Sequence, residues 1–194
     1  MMAQLYGIRA SFVMATGSGK TLTAWTLASK VAEKNKPLTL IVVCPFINLC
    51  RQWIREIAAF GLGAVACFED RKRWQEEFEE GYQLLFAGLA QVHAIVATNA
   101  AFQSEAFQAR LRPRVAAGAA HHLLIADEVH NLGAERIREA LPGGTALRLG
   151  LSATPERRYD PVGTSAVLTY FGFFWEHYPK KRCFRCHAKC LGWG

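Results

Sequence analysis

Residues 15–21, Ala-Thr-Gly-Ser-Gly-Lys-Thr, combine the groups that hold a phosphate chain. Gly17 and Gly19 let the backbone turn its N–H groups inward around an anion. With Thr16 and Ser18 they form the loop, and a helix is predicted from Gly19 onward. The first N–H groups of that helix have no intrahelical acceptor, so they add donors and a partial positive charge. Lys20 supplies a full charge for the β- and γ-phosphates, and Thr21 a hydroxyl for Mg²⁺. The general pattern has a glycine six positions before the lysine; here that position is Met14.

A second constellation is Leu123-Leu-Ile-Ala-Asp-Glu-Val-His130, with two carboxylates at the end of an apolar run. An isolated Asp-Glu pair is more often a solvated loop. Downstream of a phosphate loop, Asp127 suits the acid that holds Mg²⁺, and Glu128 suits the base that orients an attacking water.

These groups must be positioned by regular elements, and the chain alternates short apolar runs with longer amphipathic stretches. Strands are predicted at 11–14, 38–44, 64–68, 92–97, 123–126 and 146–151. Helices are predicted at 19–32, 48–60, 72–89, 100–111 (ending before Pro113) and 134–140. The run Leu38 to Cys44 is continuously apolar or β-branched, as in a strand buried on both faces. Such alternation predicts an α/β fold, a mostly parallel sheet with helices on both faces. Chemistry in such sheets collects at the carboxyl ends of strands, where each polar motif falls.

Together the motifs carry a family resemblance. ATGSGKT (15–21), DEVH (127–130) and SAT (152–154) resemble motifs I, II and III of superfamily 2 helicases and translocases, the DEAD/DEAH-like ATPases. MATGSGKT and LGLSATPERR are more similar to the branch of type III restriction subunits and DNA-repair helicases than to RNA-directed proteins. The resemblance covers about residues 10–173. It implies a RecA-like P-loop NTPase lobe with ATP and Mg²⁺ as cofactors. Lys20, Asp127 and Glu128 would be catalytic; Thr16, Gly17, Ser18, Gly19, Lys20 and Thr21 would bind nucleotide; Thr21 and Asp127 would hold Mg²⁺. His130, Ser152 and Thr154 would couple the nucleotide state to nucleic acid and to a partner lobe. Pro45, with Val43 and Cys44, and the pair Thr98-Asn99 sit where strand-contacting motifs lie. Arg51 and Arg55 read equally as phosphate contacts or as a solvated helix face. The glutamine that usually reads adenine in this family would be Gln4, which leaves little room for the helix that normally intervenes. The family also needs a second RecA-like lobe, in cis or in trans, and this chain stops before one.

The chain has 194 residues, 51% hydrophobic and 20% charged, which excludes a disordered polar chain and fits one domain. Of the net charge of +7, five basic residues and one acid fall after position 175, so residues 1–175 carry only +3. That balance permits a nucleic-acid partner without demanding one. No run of about 18 apolar residues occurs, so no membrane partner is expected. The N-terminus lacks the pattern of a secretory signal. Cys44, Cys50 and Cys67 lie in apolar contexts as reduced thiols, and a cytoplasmic location is expected.

A lobe at 1–175 is followed by a basic tail at 176–194 with Cys183, Cys186, His187 and Cys190. Three readings of this tail stay open: a Zn²⁺ site or CxxCH haem attachment, a basic nucleic-acid contact, or a stretch foreign to the family that arises from a frame change. For function, the resemblance implies the ATP-binding lobe of a DNA-directed helicase or translocase. It favours DNA over RNA, and the reaction yields ADP and phosphate. The alternative is a catalytically incompetent nucleotide- or DNA-binding module of a restriction or repair assembly. A small P-loop kinase fits less well, since neither an acceptor site nor a lid is visible.

Overall fold

A computed structural model describes residues 9–13, 19–133, 135–145, 147–153 and 160–172. Gln4, Met14, Thr16, Gly17, Ser18, Thr154 and the whole 176–194 tail therefore lie outside the described residues. The elements are β1 (Arg9–Val13), α1 (Lys20–Lys34), β2 (Leu38–Cys44), α2 (Ile47–Ala59), β3 (Ala64–Ala66), α3 (Arg71–Phe86) and β4 (Val92–Thr98). There follow α4 (Asn99–Phe102), α5 (Glu105–Ala117), β5 (His121–Asp127), a 3-10 turn at Val129–Gly133, α6 (Glu135–Ala140), β6 (Leu147–Ser152) and α7 (Pro161–Phe171).

All the strands pair in parallel, in the order β1-β6-β5-β2-β4-β3. The central strand β2 is buried at every position, the burial its apolar run predicts. Because side chains alternate across a strand, the sheet has two cores. On one face Trp25 and Val31 of α1 and Trp53 and Ile57 of α2 pack on Leu40, Val42, Ile125 and Leu149. On the other, Phe78 and Tyr82 of α3, Leu111 of α5 and Phe171 of α7 pack on Ile41, Ile95 and Leu124. Cys44, Cys50 and Cys67 are buried and free of disulfides. The Cys44 thiol is pushed far above its usual range by its hydrogen bond with Cys50, by burial and by nearby Asp127. Burial raises Cys67 in the same direction.

Two differences from the predicted elements have local causes. The helix expected at 100–111 is split, because Thr98 caps α4 through Ala101 N and Ser104 caps α5 through Phe107 N. Pro113 then lies inside α5 instead of ending it. An interior proline costs about 3 kcal/mol. Here the fully buried Leu111 anchors the helix from one side of it. On the other side the Arg114 guanidinium lies over Tyr82, 4.6 Å from the ring centre, and also pairs with Glu79. The unanticipated α7 starts from an Asp160 cap with Pro161 in its first turn.

Candidate functional site

The carboxyl ends of three strands finish level with one another. Val13 of β1 is in register with Ser152 of β6, and Leu151 of β6 with Asp127 of β5. β6 lies between the other two, so the serine stands between the phosphate-loop strand and the acidic strand. Gly19 caps α1 with φ of 85°, a left-handed conformation that favours glycine. Among the described residues no side chain caps α1, and no acid lies in its own first turn; the acid nearest this positive end comes from elsewhere in the chain.

Lys20, first residue of α1, donates from Nζ to Glu128 Oε1 at 2.9 Å across 108 sequence positions. The two side chains are 11% and 25% exposed, so the pair is partly desolvated and less screened than one on the open surface. Glu128 is the one residue other than glycine, among those described, with a positive φ, 48°. Such a backbone in a long side chain is uncommon and tends to accompany functional sites. It turns the chain sharply off β5 and carries Glu128 toward β6 and α1.

A chain of hydrogen bonds holds Glu128 from behind. Asn131 Nδ2 donates to the Glu128 carbonyl at 3.1 Å, which fixes that nitrogen as an NH₂ group. The same nitrogen lies 3.1 Å from His130 Nε2, which must accept. With Nε2 accepting, a proton is assigned to His130 Nδ1, 3.0 Å from Ser152 Oγ. Ser152 Oγ in turn donates to Glu128 Oε2 at 3.5 Å. Motifs separate in sequence thus close onto one carboxylate. Asp127 projects toward the layer of α1 and α2, where it meets Trp53. Its Oδ1 accepts from Glu128 N and its Oδ2 from Trp53 Nε1, each at 3.0 Å.

Thr21 is half-buried in the first turn of α1. The expected nucleic-acid contacts lie further along the same edge: β2 and β4 are neighbours and Cys44 is level with Thr98. Pro45 is half-buried beside exposed Phe46, while Arg51 and Arg55 are exposed on α2. Thr98 Oγ1 accepts from Ala101 N at 3.2 Å, so this hydroxyl already serves as a helix cap. The half-buried Asn99 follows it.

Two participants went unseen in the sequence. Trp53 reads only as part of the apolar face of α2; the one cue is that a buried indole N–H needs an acceptor. Asn131 had no cue beyond following the DEVH run.

The fold agrees with what comparison with known proteins finds. The model of the family "Type III restriction enzyme, res subunit" matches residues 6–157. The chain belongs to that family. Its lobe is the RecA-like, ATP-binding lobe of the superfamily 2 helicase type. Among solved structures, the chain is similar to a nuclease-deletion mutant of the type ISP restriction-modification enzyme LlaGI in complex with a DNA substrate mimic. There the identity is 18% and the TM-score 0.58, over 77% of this chain and 16% of that one. It is also similar to the Hef helicase domain of Pyrococcus furiosus, at 20% identity and TM-score 0.60, over 87% of this chain and 34% of that one. This res-family chain therefore spans about a sixth and a third of those two structures. No curated protein matches it.

Proposed function

We propose that the chain binds ATP with Mg²⁺ at the β1–β6–β5 edge, hydrolyses it to ADP and phosphate, and couples that cycle to movement on DNA. The observation that carries the reading is the Lys20–Glu128 pair at the start of α1, backed by the His130–Ser152 chain. The donor set fits a magnesium nucleotide: a lysine and a threonine in the first turn of a helix, and a largely buried carboxylate at a strand end. Thr21 and Asp127 would hold the metal, with the loop of Thr16, Gly17, Ser18 and Gly19 around the phosphates. Bound magnesium supplies neutralising charge to the phosphate oxygens. Lys20 would hold the terminal phosphates, and Glu128 would accept the proton of the attacking water. His130 and Ser152 would keep the Glu128 carboxylate oriented and sensitive to the strand ends around it.

Pro45, Arg51, Thr98 and Asn99 would meet the DNA backbone beside the nucleotide. The sheet edge supports this: Pro45 follows β2, one strand over from Asp127, and Thr98-Asn99 follows β4, two strands over. We place the lobe at residues 1–175 and treat 176–194 as a basic appendage. A second RecA-like lobe would supply an arginine finger and the other half of the DNA grip. Such a finger is worth about 10³–10⁵ in rate. Residues 1–194 by themselves should accordingly show basal ATPase and no duplex unwinding.

The test is a nucleotide titration in Mg²⁺ with wild type and Lys20→Ala. Affinity should fall at least about tenfold in the variant, since one charge-assisted contact is worth about 1.5–3 kcal/mol. Equal affinities would remove the nucleotide-site reading. ATPase measured with and without DNA, in a chain joined to a second lobe, separates a motor from a binding module that does not turn over.

A further inference from the structure

Asp127 is 8% exposed, and a buried carboxylate is stable only when its oxygens find donors. Its two partners are of unusual kind. Oδ1 takes the N–H of the next residue, a donor fixed by the backbone turn at Glu128. Oδ2 takes the indole N–H of Trp53, 74 positions earlier in the chain. An indole nitrogen only donates and cannot reverse its role. Trp53 is 1% exposed and wedged in the core shared by α1, α2 and the sheet, so its ring has no room to swing away. Each oxygen of Asp127 keeps a free lone pair, while the plane of the carboxylate is set from both sides.

We infer that Trp53 is a positioning residue for the metal-holding carboxylate, acting through its indole N–H on Asp127. The inference rests on the nucleotide-site reading above and deepens it. Metal sites depend on such outer partners, whose loss typically costs about 10–100-fold in metal affinity. Trp53 also ties the site to α2. Arg51 and Arg55 lie two residues to either side of it and are exposed, so the helix that faces solvent with two guanidinium groups carries the clamp of Asp127 on its inner face.

The experiment compares ADP binding by residues 1–194 in EDTA and across a Mg²⁺ titration, for wild type and Trp53→Phe. A second variant carries benzothienylalanine at position 53, where sulfur replaces the indole N–H at nearly constant volume. It carries the test if Trp53→Phe does not fold. The Mg²⁺ concentration at half-effect should rise about tenfold or more in both variants, while metal-free ADP affinity stays unchanged. A defect of packing alone would move both quantities. Independently, the ¹H–¹⁵N indole resonance of Trp53 should move upfield in Asp127→Ala, as its acceptor is lost. An unchanged Mg²⁺ midpoint in the folded variants, or an indole resonance indifferent to Asp127→Ala, overturns the inference while leaving the nucleotide site standing. A wild type that binds ADP equally with and without Mg²⁺ overturns the site reading itself, and the inference with it.

Discussion

At Glu128 one side chain answers to three neighbours and to an uncommon backbone. Lys20 holds one oxygen, while Ser152 and His130 approach the other at 3.5 and 3.6 Å. A carboxylate so placed is oriented, yet still 25% exposed and open to a reactant. Glu128→Gln keeps the shape, and its amide can still accept from Ser152 through oxygen, but it cannot take a proton. It should retain Mg²⁺-dependent nucleotide binding within a few-fold and lose about 10²–10⁴ in turnover, the usual worth of a positioned base. Steady-state ATPase with the second lobe present checks this. Full activity of the variant would remove Glu128 from the base role.

At the scale of elements, α3 and β4 approach so closely that a helix carries glycine in its interior. A Cβ at Gly81 would lie 2.0 Å from His93 Cε1. The imidazole has little room to yield, being buried with Phe78 6.0 Å and Tyr82 5.0 Å away, ring centre to ring centre. Glycine to alanine in a helix interior ordinarily stabilises by about 0.5–1 kcal/mol. Here the sign should reverse: Gly81→Ala should destabilise by about 1–3 kcal/mol through overpacking. The double variant Gly81→Ala/His93→Ala should regain part of the loss. Urea unfolding of the single and double variants measures both, and a stabilised Gly81→Ala would show that the helix can shift away. The same layer explains Pro113: α5 is held by side chains packed on α3 and the sheet, which outweigh a local break.

For the molecule as a whole, the amino end of the sheet carries a polar row opposite the candidate site. His93, Thr39 and His122 are side by side on β4, β2 and β5. Tyr82 of α3 closes over them, its hydroxyl 3.2 Å from His122 Nε2. Facing groups include the Arg114 guanidinium and Glu79. Burial first, and then Arg114, lower His93 to about 4; burial first, and then His121, lower His122 to about 4. In the unfolded chain both titrate near 6.5. Between those values the unfolded chain binds more protons, so stability must fall as pH drops from about 6.5 toward 4. From pH 7 to 5 each histidine should cost about 2 kcal/mol. The check is urea unfolding at both pH values for wild type and for His93→Gln/His122→Gln, whose pH dependence should flatten. An equal slope in the double variant would assign acid sensitivity to other groups.

What the sequence determined by itself was whatever local physics controls. Apolar runs such as Leu38–Cys44 could be little else than buried strands, and amphipathic stretches between them little else than covering helices. The phosphate loop and the acidic pair were legible because their chemistry needs particular residue types at contiguous positions. Short-range competition was harder to read: Ser104 splits one predicted helix in two, and the Asp160-Pro161 start of α7 passed unread. Tertiary structure alone decided the strand order. By setting β6 between β1 and β5 it brings Lys20, Glu128, His130 and Ser152 together. It also decided that Trp53 meets Asp127, that Gly81 must leave room for His93, and that Pro113 stays inside a helix. These contacts join different elements of the fold, and whether they meet in space depends on sheet order and layer packing, which no local window of sequence contains.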